Sequence, residues 1–267
     1  MKTLIKNARI ISPGIDMPGA AVEMEGKTIT AVYPAGSELP AADKVVDAEG
    51  RMLLPGFIDI HSHGAGGCEM GYYLADCFGL RLLNRRGCFP QFDKFIEQTK
   101  DVWTHLVDIR KSFEPRAEEL AKKYALAPYT MFIGSGALWG ETILFSMCIL
   151  EEMQWKRTRY ITSADFFHGT LELVEPGVPV FLFMGEDENR KLDERVRAFL
   201  TRGVTGDTDI NIIDTAEFAI PGLDDEFRVI VSPWILSSLI TDRLAAYYET
   251  VTKHNLNYRR YYHQFDY

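Results

Sequence analysis

The chain has 267 residues, of which 46% are hydrophobic and 25% are charged, an ordinary balance for a globular protein with a sizeable core. Its net charge of -9, with no basic stripe, argues against a nucleic-acid partner. We predict no signal peptide, and the most apolar helix candidate, residues 143–150, is too short to span a bilayer. No CxxC spacing occurs, so we expect free buried thiols in a cytoplasmic protein: Cys68, Cys77, Cys88 and Cys148.

The first quarter of the chain has the pattern of a small β segment. Stretches of alternating hydrophobicity are separated by Gly, Pro and Asp turns. A longer apolar stretch from Met52 then predicts a buried strand that ends at two histidines. The four strands predicted before it are residues 3–11, 20–25, 28–32 and 44–47.

The rest of the chain alternates between helices and apolar strands. This alternation predicts an α/β fold, with a parallel sheet covered by helices on both faces. The predicted helices are residues 72–83, 92–109, 115–124, 137–154, 188–202 and 227–252, the third starting at a proline in the N1 position. The predicted strands are residues 129–133, 159–166, 178–184 and 209–215.

Two histidines, His61 and His63, stand at positions i and i+2 after the first apolar strand. Both side chains point to the same side, so both can reach one divalent metal ion that activates water. The stretch PGFIDIHSHGAGG resembles the start of the amidohydrolase superfamily, most closely the N-acetylglucosamine-6-phosphate deacetylases, over residues 1–67. The further metal ligands of that family have no counterpart here. We therefore favour a remnant pair without a catalytic metal over a metal-dependent deacetylase.

A carboxylate and an imidazole mark the second half of the chain. Glu152 stands near the end of the apolar helix, and His168 follows the next predicted strand, sixteen positions later. Carbonyl-sugar chemistry needs such a pair, a base for a carbon-bound proton and an acid for a ring or leaving oxygen. Glu151 competes for the role of base, because sequence alone orients neither glutamate. Solvated glutamates and a structural histidine are the alternative.

Residues 131–267 resemble the second half of a sugar isomerase (SIS) domain protein, most closely the fructoselysine-6-phosphate deglycase group. The resemblance rests on Glu152, Phe166-Phe167-His168-Gly169, the run LELVEPGVP that follows, and the tail Arg259-Arg260-Tyr261-Tyr262. It implies that Glu152 is the general base at C1 and C2 of the sugar. It also implies that His168 is the general acid in ring opening, often from the neighbouring subunit, and that no metal or organic cofactor takes part.

The same resemblance implies a 6-phosphorylated Amadori sugar, such as fructoselysine 6-phosphate, as the substrate. Glucose 6-phosphate and a free amine would be the products. In that family Ser/Thr-rich loops of the first SIS half hold the phosphate, and we find no such loops here. Ser135 and Gly136, in a strand–turn–helix context, are candidates to hold an anion, although a purely structural turn is the simpler interpretation. Arg259, Arg260 and Tyr262 of the tail are candidates to cover the site or to stabilise a dimer.

We therefore expect three segments: an amidohydrolase-like β segment over residues 1–67, a helical connector over 68–127 and a second-half SIS domain over 128–267. The expected function is a sugar-phosphate deglycase or isomerase, and the missing first half argues against turnover. The alternative is a non-catalytic module that binds a carbohydrate phosphate or dimerises. The expected partners are a phosphorylated sugar or amino sugar and further copies of the chain in a homodimer or larger homo-oligomer, with neither nucleic acid nor membrane.

Overall fold

The computed structural model describes residues 1–12, 15–54, 68–203, 206–262 and 264–266. Backbone packing divides the chain into two units, Met1–His61 and Ser62–Tyr267. The histidine pair His61 and His63 lies outside the described residues, as does most of the apolar strand predicted to precede it.

The first unit is a five-stranded sheet. Its strands are β1 (Lys2–Ser12), β2 (Ile15–Glu25), β3 (Thr28–Tyr33), β4 (Lys44–Asp47) and β5 (Met52–Leu53). The first three form an antiparallel meander, and β4 and β5 both run parallel to β1 on its other side. Leu4 of β1 and Val22 of β2 are buried, and the sheet confirms the small β segment predicted from the sequence.

The second unit is built on a four-stranded parallel sheet. Its strands are β6 (Thr130–Ile133), β7 (Thr158–Ile161), β8 (Val180–Met184) and β9 (Ile210–Asp214), in the order β7-β6-β8-β9. The central strands β6 and β8 are buried along their whole length. The chain passes from β6 to β7 on one side of β6, and then from β7 to β8 on the other side. The strand order therefore reverses at β6. Such a switch point opens a crevice at the carboxyl ends of the strands.

Helices cover both faces of this sheet, as predicted. They are α1 (Cys68–Arg85), α2 (Phe92–Thr99), α3 (Val102–Tyr124), α4 (Trp139–Ile143), α5 (Ser163–Phe166), α6 (Arg190–Leu200), α7 (Asp225–Ser237) and α8 (Ala245–Thr252). A π-helix, Leu144–Met153, continues α4, and a second one, Ser238–Leu244, joins α7 to α8. Short 3-10 turns stand at Gly136–Leu138, Thr170–Leu173 and Thr215–Glu217.

Successive residues of β6 and β8 point alternately into two separate hydrophobic cores. Phe132 stacks on Phe181 and Phe183 in the larger core, which α3, α7 and the π-helix Leu144–Met153 complete. Ile133 and Leu182 point to the opposite face, where α5 and α6 cover them. The strands therefore read as continuous apolar runs, because both of their faces are buried.

Three details of the predicted helices and strands are wrong. Residues 92–124 form two helices with a break at residues 100–101, and Pro115 lies inside the second helix instead of starting a third. The strand predicted over residues 159–166 ends at Ile161, and its last residues form α5. Thr162 causes this change, since its hydroxyl caps α5 by accepting a hydrogen bond from the backbone of Asp165 at 3.0 Å.

Burial also differs from expectation in two places. An apolar stretch such as residues 143–150 predicts burial on every side, but Met147 is 39% exposed. The described cysteines are free thiols as expected, yet Cys88 is exposed, and Cys77 and Cys148 are half-buried. Burial raises the pKa of the Cys148 thiol, and the neighbouring carboxylates act in the same direction.

One helical segment, Asp225–Thr252, is long and apolar enough to cross a membrane, with a mean hydropathy of 1.3. The protein itself buries 67% of the apolar stretch, including the indole of Trp234. A core helix of a soluble α/β fold passes the same test of length and composition, and this burial is what such a helix shows.

Candidate active site

Glu152 stands at the end of the π-helix Leu144–Met153, and the C-terminal segment folds back onto it. Nε of Arg259 donates a hydrogen bond to Oε1 of Glu152 at 2.9 Å. Nη1 of Arg259 also donates to the backbone carbonyls of Leu256, at 2.7 Å, and Tyr258, at 2.9 Å. The guanidinium therefore fixes the segment's backbone and the carboxylate together.

A cavity of about 470 Å³ opens between this helix end and the tail. Its lining residues are Glu151, Glu152, Trp155, Lys156, Arg259, Arg260, Tyr261 and Tyr262. We call it the Glu152 cavity. The two glutamates, which sequence alone did not distinguish, have different partners. Glu151 accepts a hydrogen bond from the hydroxyl of Thr158 at 2.6 Å, whereas Glu152 faces the tail.

The wall of the Glu152 cavity is built where the helix ends. Trp155 has a left-handed backbone with φ of 53°, and the guanidinium of Arg260 lies 4.3 Å from the centre of its ring. The ring of His254 meets the same indole edge-on at 4.4 Å. Lys156 is half-buried beside it, and its ammonium donates to the carbonyl of Ala127 at 2.7 Å. Burial lowers the pKa of this lysine.

His168 lies elsewhere in the chain. It follows α5 and is exposed, and its backbone N–H donates to the carbonyl of Asp165 at 2.8 Å. The strand β7 begins at Thr158, which bonds to Glu151, and α5 follows at the carboxyl end of this strand. Within one chain the structure therefore does not bring Glu152 and His168 together, and His168 is not among the residues that line the cavity.

Ser135 and Gly136 occupy the strand-end crevice, where β6 passes into the helix. The Ser135 hydroxyl accepts a hydrogen bond from the backbone of Ser163 at 2.7 Å. Gly136 has φ of 55°, and a Cβ atom there would lie 2.0 Å from Oδ2 of Asp187. The same Asp187 oxygen accepts a hydrogen bond from the backbone of Ala137 at 2.5 Å. A carboxylate of the protein therefore already occupies the anion-binding end of this helix.

The strand-end crevice and the Glu152 cavity lie at opposite ends of one helix. Sixteen residues separate Gly136 from Glu152, which corresponds to on the order of 20 Å along a helix. A single sugar phosphate is much shorter, so one ligand of that size does not contact both places. Of the predicted site residues, four line the Glu152 cavity: Glu152, Arg259, Arg260 and Tyr262. Three do not: Ser135, Gly136 and His168.

The strand-end crevice is rich in buried charge. Asp193 is 1% exposed and accepts hydrogen bonds from the Ser163 hydroxyl at 2.5 Å and the Gly185 backbone at 3.4 Å. Burial raises the pKa of its carboxyl to about 6. Two further ion pairs join neighbouring elements here: Arg228 with Glu186 at 2.7 Å, and Arg190 with Asp214 at 2.6 Å. These internal pairs stabilise the crevice without any ligand.

Sequence analysis assigned no site role to three residues of these two places: Asp187 in the strand-end crevice, and Trp155 and Lys156 in the Glu152 cavity. The sequence did contain one indication, because Gln154-Trp155-Lys156 ends the Glu152 helix without the glycine that commonly closes one.

Within the residues that the structure describes, no cluster of three or more His, Cys, Asp and Glu side chains has the geometry of a metal site. The predicted pair His61 and His63 stays a prediction, since both lie outside those residues.

Comparison with known proteins separates the two parts of the chain. A model of the amidohydrolase family matches residues 44–81. The larger part is similar to fructosamine deglycase of Bacillus subtilis, at 28% identity over 185 residues, which are 68% of this chain and 53% of the relative. It is also similar to fructoselysine 6-phosphate deglycase of Escherichia coli, at 27% identity over 200 residues, 73% of this chain and 55% of the relative.

A solved structure from Salmonella typhimurium, assigned as a phosphosugar isomerase, has the same fold. Its TM-score is 0.64 at 26% identity, over 70% of this chain and 57% of that one. The chain spans about half the length of the curated relatives it matches. It is thus a homologue of the fructosamine and fructoselysine 6-phosphate deglycases and phosphosugar isomerases, with the SIS fold and an amidohydrolase-like N-terminus.

Proposed function

We propose that this chain acts on a 6-phosphorylated Amadori sugar or amino sugar as a deglycase or isomerase, with fructoselysine 6-phosphate as the representative substrate. The observation that carries the proposal is Glu152. In a homologue of deglycases, this carboxylate lines a cavity of about 470 Å³ that Arg259 and Tyr262 of the tail also line. A fixed carboxylate beside a cavity is what abstraction of a carbon-bound proton requires.

The proposed reaction needs one base and one water molecule. Glu152 removes a proton from C1 of the open-chain ketoamine, and the electron pair forms the enaminol. Return of a proton to C2 gives the aldimine of glucose 6-phosphate. Water then adds to C1, and the C–N bond breaks to release glucose 6-phosphate and the free amine. The steps balance without an oxidant or a reductant.

We further propose that His168 supplies the acid for ring opening from a neighbouring copy in a homo-oligomer. Two observations support this: His168 is exposed, and it does not line the Glu152 cavity of its own chain. The test mixes an inactive Glu152→Gln chain with an inactive His168→Gln chain. A site shared between copies predicts recovered activity, because a mixed dimer contains one site with both native residues. Activity that stays absent after subunit exchange would contradict it.

The direct test of the function is release of glucose 6-phosphate from fructoselysine 6-phosphate by the purified chain. We expect release that depends on the chain and stops in the Glu152→Gln variant. The absence of release from the parent chain, under conditions where a known deglycase works, would contradict the proposal. We place the activity in the cytoplasm, since a phosphorylated substrate and the free thiols Cys77, Cys88 and Cys148 suit that compartment.

A second candidate function is a module that binds a carbohydrate phosphate or dimerises without turnover. The ion pair between Glu152 and Arg259 favours it, because a group of the protein already occupies the carboxylate that turnover needs. Binding of the sugar phosphate with no release of product would select this candidate. Release lost in Glu152→Gln would exclude it.

A further inference from the structure

The Glu152 cavity contains two cations with no carboxylate partner among the described residues. Lys156 contacts only a backbone carbonyl, that of Ala127, and Arg260 lies over the ring of Trp155. Arg259 differs from both, since it pairs with Glu152. A half-buried ammonium without an anion is unfavourable, so this wall gains stability when an anion arrives.

Trp155, whose ring the Arg260 guanidinium lies over, has an unusual backbone conformation. Trp155 adopts φ of 53°, a left-handed conformation that a side chain with a Cβ atom rarely takes and that glycine normally fills at a helix end. The conformation leaves the indole 41% exposed on the cavity wall, stacked against the guanidinium. Backbone strain of this kind persists where the surroundings impose it, commonly at a site with a function. The strain and the two cations are independent observations at one place.

We propose that Lys156 and Arg260 form an anion subsite of the Glu152 cavity, in which the ring of Trp155 supports the guanidinium. The subsite holds an anionic group of the ligand, a phosphate monoester or a carboxylate, while the sugar carbons face Glu152. The inference rests on the proposed function of the same cavity and specifies which part of the ligand this wall binds. Stacked arginine and ammonium groups are common partners of such oxyanions.

The charges of the cavity further limit the ligand. Its lining carries both signs of charge, with the carboxylates of Glu151 and Glu152 and the cations of Lys156 and Arg260. A ligand with only negative groups meets repulsion from the glutamates. A zwitterion with a protonated amine and an anionic group matches both kinds of lining group. The subsite therefore favours a ketoamine or an amino-sugar phosphate over a simple sugar phosphate.

The test is calorimetric titration of the intact chain with two probes. Glucose 6-phosphate offers a phosphate, and unphosphorylated fructoselysine offers an amine and a carboxylate. We expect the parent to bind at least one probe, and Arg260→Gln and Lys156→Gln each to weaken that binding about tenfold or more. Arg202→Gln is the matched control, because Arg202 is exposed and lies outside the cavity. The probe whose binding is weakened identifies the anionic group.

A Trp155→Gly variant separates binding from packing. Glycine relieves the left-handed backbone, and this gain offsets the lost contacts of the indole with His254 and Arg260, so we expect a melting temperature close to that of the parent. The Arg260 guanidinium loses the ring that it lies over, so we still expect weaker binding of the probe. Parent-like binding by Arg260→Gln and Lys156→Gln would overturn the subsite, as would a parent chain that binds neither probe. Charge-dependent binding by a chain that releases no product would support the subsite and contradict the proposed function alone.

Discussion

Nε of Arg259 lies 2.9 Å from Oε1 of Glu152, and this contact joins the C-terminal segment to the end of the helix that began at the sheet. The two side chains are 15% and 24% exposed. The tail is therefore part of the wall of the Glu152 cavity, and this partly solvated ion pair holds it there together with the contact of Arg260 with Trp155.

Arg259→Gln should release the tail without unfolding the protein. A partly exposed ion pair contributes about 0.5 to 1 kcal/mol, so we expect a small drop in the free energy of unfolding. Limited proteolysis should cleave after residue 254 faster than in the parent, while Arg202→Gln should leave the rate unchanged. An unchanged cleavage rate in Arg259→Gln would show that other contacts hold the tail.

Gly136→Ala should destabilise the strand-end crevice. The new Cβ atom would lie 2.0 Å from Oδ2 of Asp187, which must move away from the backbone of Ala137. Gly177→Ala is the control, since Gly177 has φ of 84° and a Cβ atom there would meet nothing beyond its chain neighbours within 4 Å. Both variants strain the backbone, and only the first displaces a carboxylate. We expect chemical denaturation to show an extra cost of about 1 to 3 kcal/mol for Gly136→Ala. Equal costs would contradict this account of the crevice.

Asp193 should make stability depend on pH. Burial raises the pKa of its carboxyl from 3.8 to about 6 in the folded chain, so folding favours the protonated form. This contribution is fully present below about pH 4 and is lost as the pH rises through 6. Asp193→Asn stays neutral, so its stability relative to the parent should rise between pH 4 and pH 8, by up to about 3 kcal/mol. A difference that stays constant over this range would contradict the raised pKa.

The sequence was sufficient for the layered fold because the strands around Phe132 and Phe181 are buried on both faces and contain no polar interruption. It was not sufficient for the local backbone. A π-helix has no distinct apolar period in a stretch such as residues 144–150, which is apolar except for Ser146. Similarly, Pro115 is compatible with both a helix start and a helix interior, and burial of the flanking Phe113 and Ala117 in the core decides between them.

The candidate site was predictable only in part, for a geometric reason. Glu152, Arg259 and Tyr262 were identified together because a family resemblance linked them, and the fold places them on one cavity. The carboxylate at the turn of Gly136 was not predictable from the sequence. It belongs to Asp187, which lies fifty positions after Ala137, and the strand order brings the two together.

Glu152 is the proposed base of a working site. The most direct measurement compares the rate of glucose 6-phosphate release from fructoselysine 6-phosphate among Glu152→Gln, Glu151→Gln and the parent. Glu119→Gln, an exposed change on α3, is the control. We predict that Glu152→Gln lowers kcat about 10² to 10⁴-fold, and that Glu151→Gln has a much smaller effect. A parent-like rate in Glu152→Gln, or a full loss confined to Glu151→Gln, would contradict the claim.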